Sequence, residues 1–81
     1  MEQSVILPVE LLCPGEWADV TEVTGAPVWV GRMAELGVQT GSRVQVLQPG
    51  SPCLLRVGGA RLSLRSDEGS QILVRPVAHA G

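Results

Sequence analysis

The interior of this chain has to be built almost without aromatic rings. Phe and Tyr are absent, and Trp17 and Trp29 are the only aromatic residues among 81. A domain of this length buries only roughly 60–65% of the surface its unfolded chain exposes, so its stability margin is narrow. The filling must come from Val, Leu, Ile and Met. That aliphatic inventory suits a compact barrel better than a wide sandwich. The apolar fraction of 44% is that of an ordinary folded domain, which argues against disorder. Ten glycines and six prolines cut the chain into short pieces, predicting many turns and few long helices.

Charge excludes several functions. Eight acids stand against six basic residues, all of them arginines, for a net charge of -2. A nucleic-acid binder would show a basic stripe with interleaved aromatics, so no nucleic-acid partner is expected. No apolar run approaches the roughly 20 residues that span a bilayer, so no membrane insertion is expected. Glu2 stands where a secretory signal would be basic, and Pro8 and Glu10 break the apolar stretch that follows. Two cysteines, Cys13 and Cys53, imply no disulfide framework, and a cytoplasmic location is the expectation.

Residues 1–81 read as a single domain with its core over about 9–75 and loose ends at 1–6 and 76–81. Leu7 to Leu12 can form one helical turn with Pro8 in its first turn, and Pro14-Gly15 is a turn signal. Trp17 to Val23 reads as a strand. Val23 falls out of phase with Ala18 and Val20, which a bulge near Thr21-Glu22 corrects. Val28 to Leu36 is the one clear helix. Pro27 starts it, Trp29, Met33 and Leu36 share its apolar face, and Arg32 and Glu35 share the solvated side. Gly37 is placed to end it in a left-handed turn, with Val38 against Met33.

Three further strands alternate: Arg43–Leu47 with Val44 and Val46 inward, Cys53–Val57 with Cys53, Leu55 and Val57 inward, and Ala60–Arg65 with Leu62 and Leu64 inward. Gly58-Gly59 joins the last two as a tight hairpin. Ser66 to Gly69 can start one capped helical turn, and Ile72 to Arg75 is a final strand with Ile72 and Val74 inward. The fold class expected is mainly β: a small, partly open SH3-like barrel of about five strands with one short helix inserted after the first strand. Closure disposes of sheet edges that so short a chain could not otherwise cover.

The order of motifs resembles a known family. Arg32-Met33-Ala34-Glu35-Leu36-Gly37-Val38-Gln39-Thr40-Gly41-Ser42-Arg43-Val44-Gln45-Val46 is similar to the R-x-x-E-L-G-[hydrophobic]-x-x-G-x-x-V-x-V run of FeoA domains. Leu12 to Val20 resembles the family's opening L-x-P-G-x-x-A-x-V. Matches continue through Pro52–Val57, Gly59–Arg65 and Ile72–Val74, so the resemblance covers roughly residues 9–75. It departs in a shorter loop at Gln48–Pro52, in Gly69 where the family usually has Ala, and in its acidity. The resemblance implies an SH3-like barrel and a non-catalytic, cytosolic accessory protein of ferrous iron uptake. The implied partner is the cytoplasmic GTPase portion of a FeoB-type membrane transporter. Two other readings stay open: a transition-metal-binding protein that handles ferrous iron directly, and a self-associating regulatory module, a homo-oligomer.

No catalytic residue is expected. The one histidine, His79, is the third residue from the end, where a positioned base is not held. A phosphate loop of the P-loop type is excluded because the chain has no lysine. Cys13, Cys53 and His79 are weak metal candidates that no ligand spacing joins. No cofactor is expected beyond weak transition-metal binding.

Trp29 reads either as core or as an interface anchor, since Trp and Arg are enriched at binding hot spots. With Arg32 and Glu35 beside it on the helix, it is the first candidate partner surface. Leu54 and Arg56, outward on their strand, complete the candidate set, and Leu73 is a further outward leucine. Arg61 and Arg65 extend the second surface, although a solvated sheet face is the readier explanation of Arg56, Arg61 and Arg65.

Overall fold

The computed structural model describes residues 5–65 and 69–77. One six-stranded antiparallel sheet curls around the core: β1 (Leu7–Pro8), β2 (Trp17–Thr24), β3 (Arg43–Gln48), β4 (Cys53–Val57), β5 (Ala60–Leu64) and β6 (Gln71–Pro76). The strand order is β1-β6-β2-β3-β4-β5, so the barrel is open between β1 and β5. A 3-10 turn (Val9–Leu11) follows β1, and the helix α1 (Pro27–Glu35) links β2 to β3.

The strand alternation held. Val44 and Val46 on β3, Leu55 on β4 and Val74 on β6 are fully buried, with Ala18 and Val20 behind them on β2. Met33 and Val38 close the core from the helix side. The register of β2 against β6 shifts between Val20 and Glu22. The hydroxyl of the skipped residue, Thr21, donates to the Leu73 carbonyl at 3.1 Å. That bulge returns Val23 to the inner side, opposite Ile72.

The helix ends as the sequence predicts. Gly37 has φ +97°, its N–H donates to the Ala34 carbonyl at 3.0 Å, and the Val38 N–H donates to the Met33 carbonyl at 2.8 Å. This paired 5→2 and 6→1 arrangement is the Schellman ending, and both Met33 and Val38 are buried. Ser42 then ties the loop back: its hydroxyl donates to the Gly37 carbonyl at 2.7 Å and accepts from the Gln39 N–H at 3.1 Å.

Several expectations need correction. The described residues form six strands, not about five, and the helix follows the second. The extra strand is Leu7–Pro8, paired with Val74 and Leu73 of β6. Pro8 is extended (φ -62°, ψ 143°), so the helical turn begins only at Val9 and Pro8 is its cap. Helical spacing puts Leu36 on the apolar face of α1, but it is 44% exposed. The Schellman turn reverses the chain immediately after Leu36 and brings Val38 into the place beneath Met33. At the C-terminal end, β6 runs through Pro76, and the Val77 N–H donates to the Trp17 carbonyl at 2.9 Å. The capped turn expected at Ser66–Gly69 lies mostly outside the described residues.

Candidate functional site

A shallow groove, open to solvent, lies where the 3-10 turn, the start of α1 and the adjacent ends of β4, β5 and β6 meet. Its floor is apolar: Val9, Cys53 and Ile72 are all buried. Trp29 and Leu64, both half-buried, form walls against the core. Glu10 and Arg65 bring opposite charges to the rim, with Ser70 and Gln71 as neutral polar neighbours.

Trp29 is placed there by the backbone that precedes it. Gly25 has φ +146°, and a Cβ at that position would come within 3.0 Å of Ser70 Oγ and 3.2 Å of Trp29 Cε3. Only a residue without a side chain lets the β2–α1 connection approach β6 this closely. Ala26 caps the helix in extended geometry and Pro27 occupies its first turn, so the indole two residues on points back toward the groove.

The expected contact set divides in two. Trp29 belongs to the groove, while Arg32 and Glu35 are exposed on α1. Leu54 and Arg56 lie on the outer face of β4, opposite in direction to Cys53 and Leu55, which point inward. The sheet therefore separates Leu54 and Arg56 from Trp29. Sequence reasoning missed Glu10 and Arg65 as rim residues and Val9 and Ile72 as floor. No local pattern joins residues so distant along the chain; the partial signal was the inward phase of Cys53, Leu64 and Ile72.

The metal candidates do not converge. Cys13 is exposed in the loop before β2, where its N–H donates to Glu16 Oε1 at 2.9 Å, and Cys53 is buried in the groove floor. Burial, reinforced by the charge of Glu10, pushes the Cys53 thiol above its ordinary range. A thiol held protonated is a poor metal ligand. No group of three or more His, Cys, Asp or Glu side chains is positioned to hold a metal among the described residues, and His79 lies outside them.

On the outer face, Arg43 and Asp19 form a two-pronged ion pair at 2.9 and 3.3 Å. The hydrogen bond from Arg43 holds the Asp19 carboxyl below the usual carboxylate range. No described helix is long and apolar enough to cross a membrane.

An open, antiparallel barrel around an aliphatic core, with one short α-helix among the described residues packed over one end, is an SH3-like domain. The family comparison matches the FeoA domain over residues 7–76, and the chain belongs to that family. The FeoA protein of Chlorobium tepidum, solved by NMR, superposes with a TM-score of 0.79 at 29% identity, covering 93% of this chain and 74% of that one. The zinc-complexed FeoA of Stenotrophomonas maltophilia superposes at 0.70 and 28% identity, covering 84% and 88%. It is described as a prokaryotic SH3 domain protein and a candidate ferrous iron transport activating factor. A crystal structure of an iron uptake regulatory protein (FeoA) has the same fold, at 0.79 and 23% identity, covering 90% of this chain and all of that one. No match was found among curated proteins.

Proposed function

We propose that this chain is a non-catalytic, cytoplasmic accessory protein of ferrous iron uptake that docks on the cytoplasmic GTPase portion of a FeoB-type transporter. The observation that carries this reading is the FeoA match over nearly the whole folded chain. The role offered for the Stenotrophomonas relative agrees with it. The groove beside Trp29 supports docking: it has an apolar floor, one aromatic wall and a charged rim, the make-up of an interface hot spot. The effect on the partner equals the difference in affinity for the partner's states, so docking biases a conformational or nucleotide-linked equilibrium without chemistry by this chain.

The test is titration of the full chain with the cytosolic portion of a co-encoded ferrous transporter in each nucleotide state. Binding that depends on nucleotide and is weakened by Trp29→Ala supports the reading. Absence of binding in every nucleotide state refutes it. Binding that Trp29→Ala and Arg32→Ala leave unchanged moves the contact away from the helix end.

The zinc complex of the Stenotrophomonas relative favours a second reading, direct handling of a transition metal. Stoichiometric Fe(II) or Zn(II) binding that Cys13→Ser or Cys53→Ser abolishes would support it. Binding indifferent to both substitutions would remove the cysteines from that role.

A further inference from the structure

Four of the six arginines of this acidic chain lie on the outer face of the sheet. Arg43, Arg56, Arg61 and Arg75 occupy outward positions on β3, β4, β5 and β6. Asp19 answers two of them: it pairs with Arg43 and lies opposite Arg75 in the β2–β6 register. Arg56 and Arg61 have no such relief. They stand directly opposite each other on the β4–β5 hairpin, both are exposed, and neither has an ion pair among the described residues.

Their neighbours are uncharged. Gln45 lies opposite Arg56 on β3, and Trp17 lies opposite Gln45 on β2, so one lateral row across four strands reads Trp, Gln, Arg, Arg. Ser63 and Leu54 flank the pair along the hairpin. Directly opposed like charges on a sheet destabilise it, and a bound anionic group removes that repulsion.

We infer that this outer face of the β4–β5 hairpin receives a carboxylate-bearing segment of the protein partner, with Arg56 and Arg61 as its ligands and Trp17 as an apolar flank. The inference rests on the docking reading above and names the partner's chemistry. Arg56 and Arg61 start from backbones one strand spacing apart, about 4.8 Å, and each guanidinium can take a carboxylate in two parallel N–H···O bonds. The net charge of -2 repels a long polyanion at distance, while a short acidic segment meets only the local arginine pair within a Debye length. That favours a protein carboxylate over nucleic acid.

The experiment titrates the intact chain and its Arg56→Gln/Arg61→Gln double variant by calorimetry against three probes. These are the cytosolic portion of a co-encoded ferrous transporter, a ten-residue polyglutamate peptide, and duplex DNA. The double variant is expected to fold with an unchanged or raised Tm, because a repulsion is gone. It is expected to lose polyglutamate binding and to bind the transporter portion about tenfold or more weakly, with a flatter salt dependence.

Equal binding of the transporter portion by both forms overturns the inference and leaves the docking reading intact. Failure of the transporter portion to bind either form removes the docking reading. Polyglutamate then decides the surface: binding lost in the double variant upholds it, and no difference between the forms overturns it. Duplex DNA bound by the wild-type chain more tightly than polyglutamate overturns it in favour of nucleic acid.

Discussion

Two glycines at α1 should respond to alanine with opposite signs. Gly31 lies inside the helix, where a Cβ would meet nothing within 4 Å. Glycine in a helix interior costs roughly 0.5–1 kcal/mol relative to alanine, so Gly31→Ala should stabilise by about that amount. Gly37 ends the helix at φ +97°, and a Cβ there would come within 3.1 Å of Val57 Cγ1. The left-handed conformation costs an L-residue about 1–2 kcal/mol, before the further displacement of a buried valine.

A domain of 81 residues has a total stability of roughly 4–12 kcal/mol, so these are sizeable fractions. At about 4–8 °C per kcal/mol for a domain this small, thermal unfolding followed by circular dichroism should show Gly31→Ala raising Tm by about 2–8 °C and Gly37→Ala lowering it by about 4–16 °C. Gly37→Asn tolerates the left-handed turn but keeps the Val57 contact, so it should fall between wild type and Gly37→Ala. A Gly37→Ala protein as stable as wild type, or a Gly31→Ala protein that loses stability, would refute the account of this helix and its ending.

Other outcomes follow from the core, the cysteines and the outer ion pair. Leu55 is fully buried on β4, and Leu55→Ala should cost about 2–5 kcal/mol in urea unfolding, enough to leave a marginal fold. One thiol, Cys13, should react rapidly with a thiol-specific reagent at neutral pH, while Cys53 reacts only as the domain opens; Cys13→Ser should remove the fast phase. Asp19 has its folded-state pKa lowered by Arg43, so its contribution is present above the unfolded carboxylate pKa and is lost as pH falls through the folded value. Asp19→Asn should therefore be slightly less stable than wild type at pH 7, and the gap should close in acid and narrow with added salt, because the pair is exposed.

Much of this molecule was determined by local sequence. Period-two alternation placed Val44, Val46, Cys53, Leu55, Ile72 and Val74 inside, because a strand buries every second side chain whatever lies across from it. The phase error at Val23 announced the bulge. Gly37 and Gly58-Gly59 announced a helix end and a hairpin, since positive φ at Gly37 and Gly58 is a local demand that glycine meets. The same hairpin made the Arg56–Arg61 juxtaposition readable from the chain.

Tertiary structure decided the rest, for a common reason: periodicity reports which way a side chain points and not what it meets. Leu7–Pro8 carries no strand signal in two residues; it becomes β1 only because β6 has a free edge to pair with. Leu36 fits the apolar stripe by spacing, yet the chain reversal at Gly37 puts Val38 under Met33 and leaves Leu36 in solvent. The groove joins Val9, Trp29, Cys53 and Ile72 from four separate elements, and Gly25 counts there through its close approach to Ser70, just beyond the end of the β2–β6 pairing. Such convergence is set by strand order and register, which depend on the whole packed sheet and are written in no single segment.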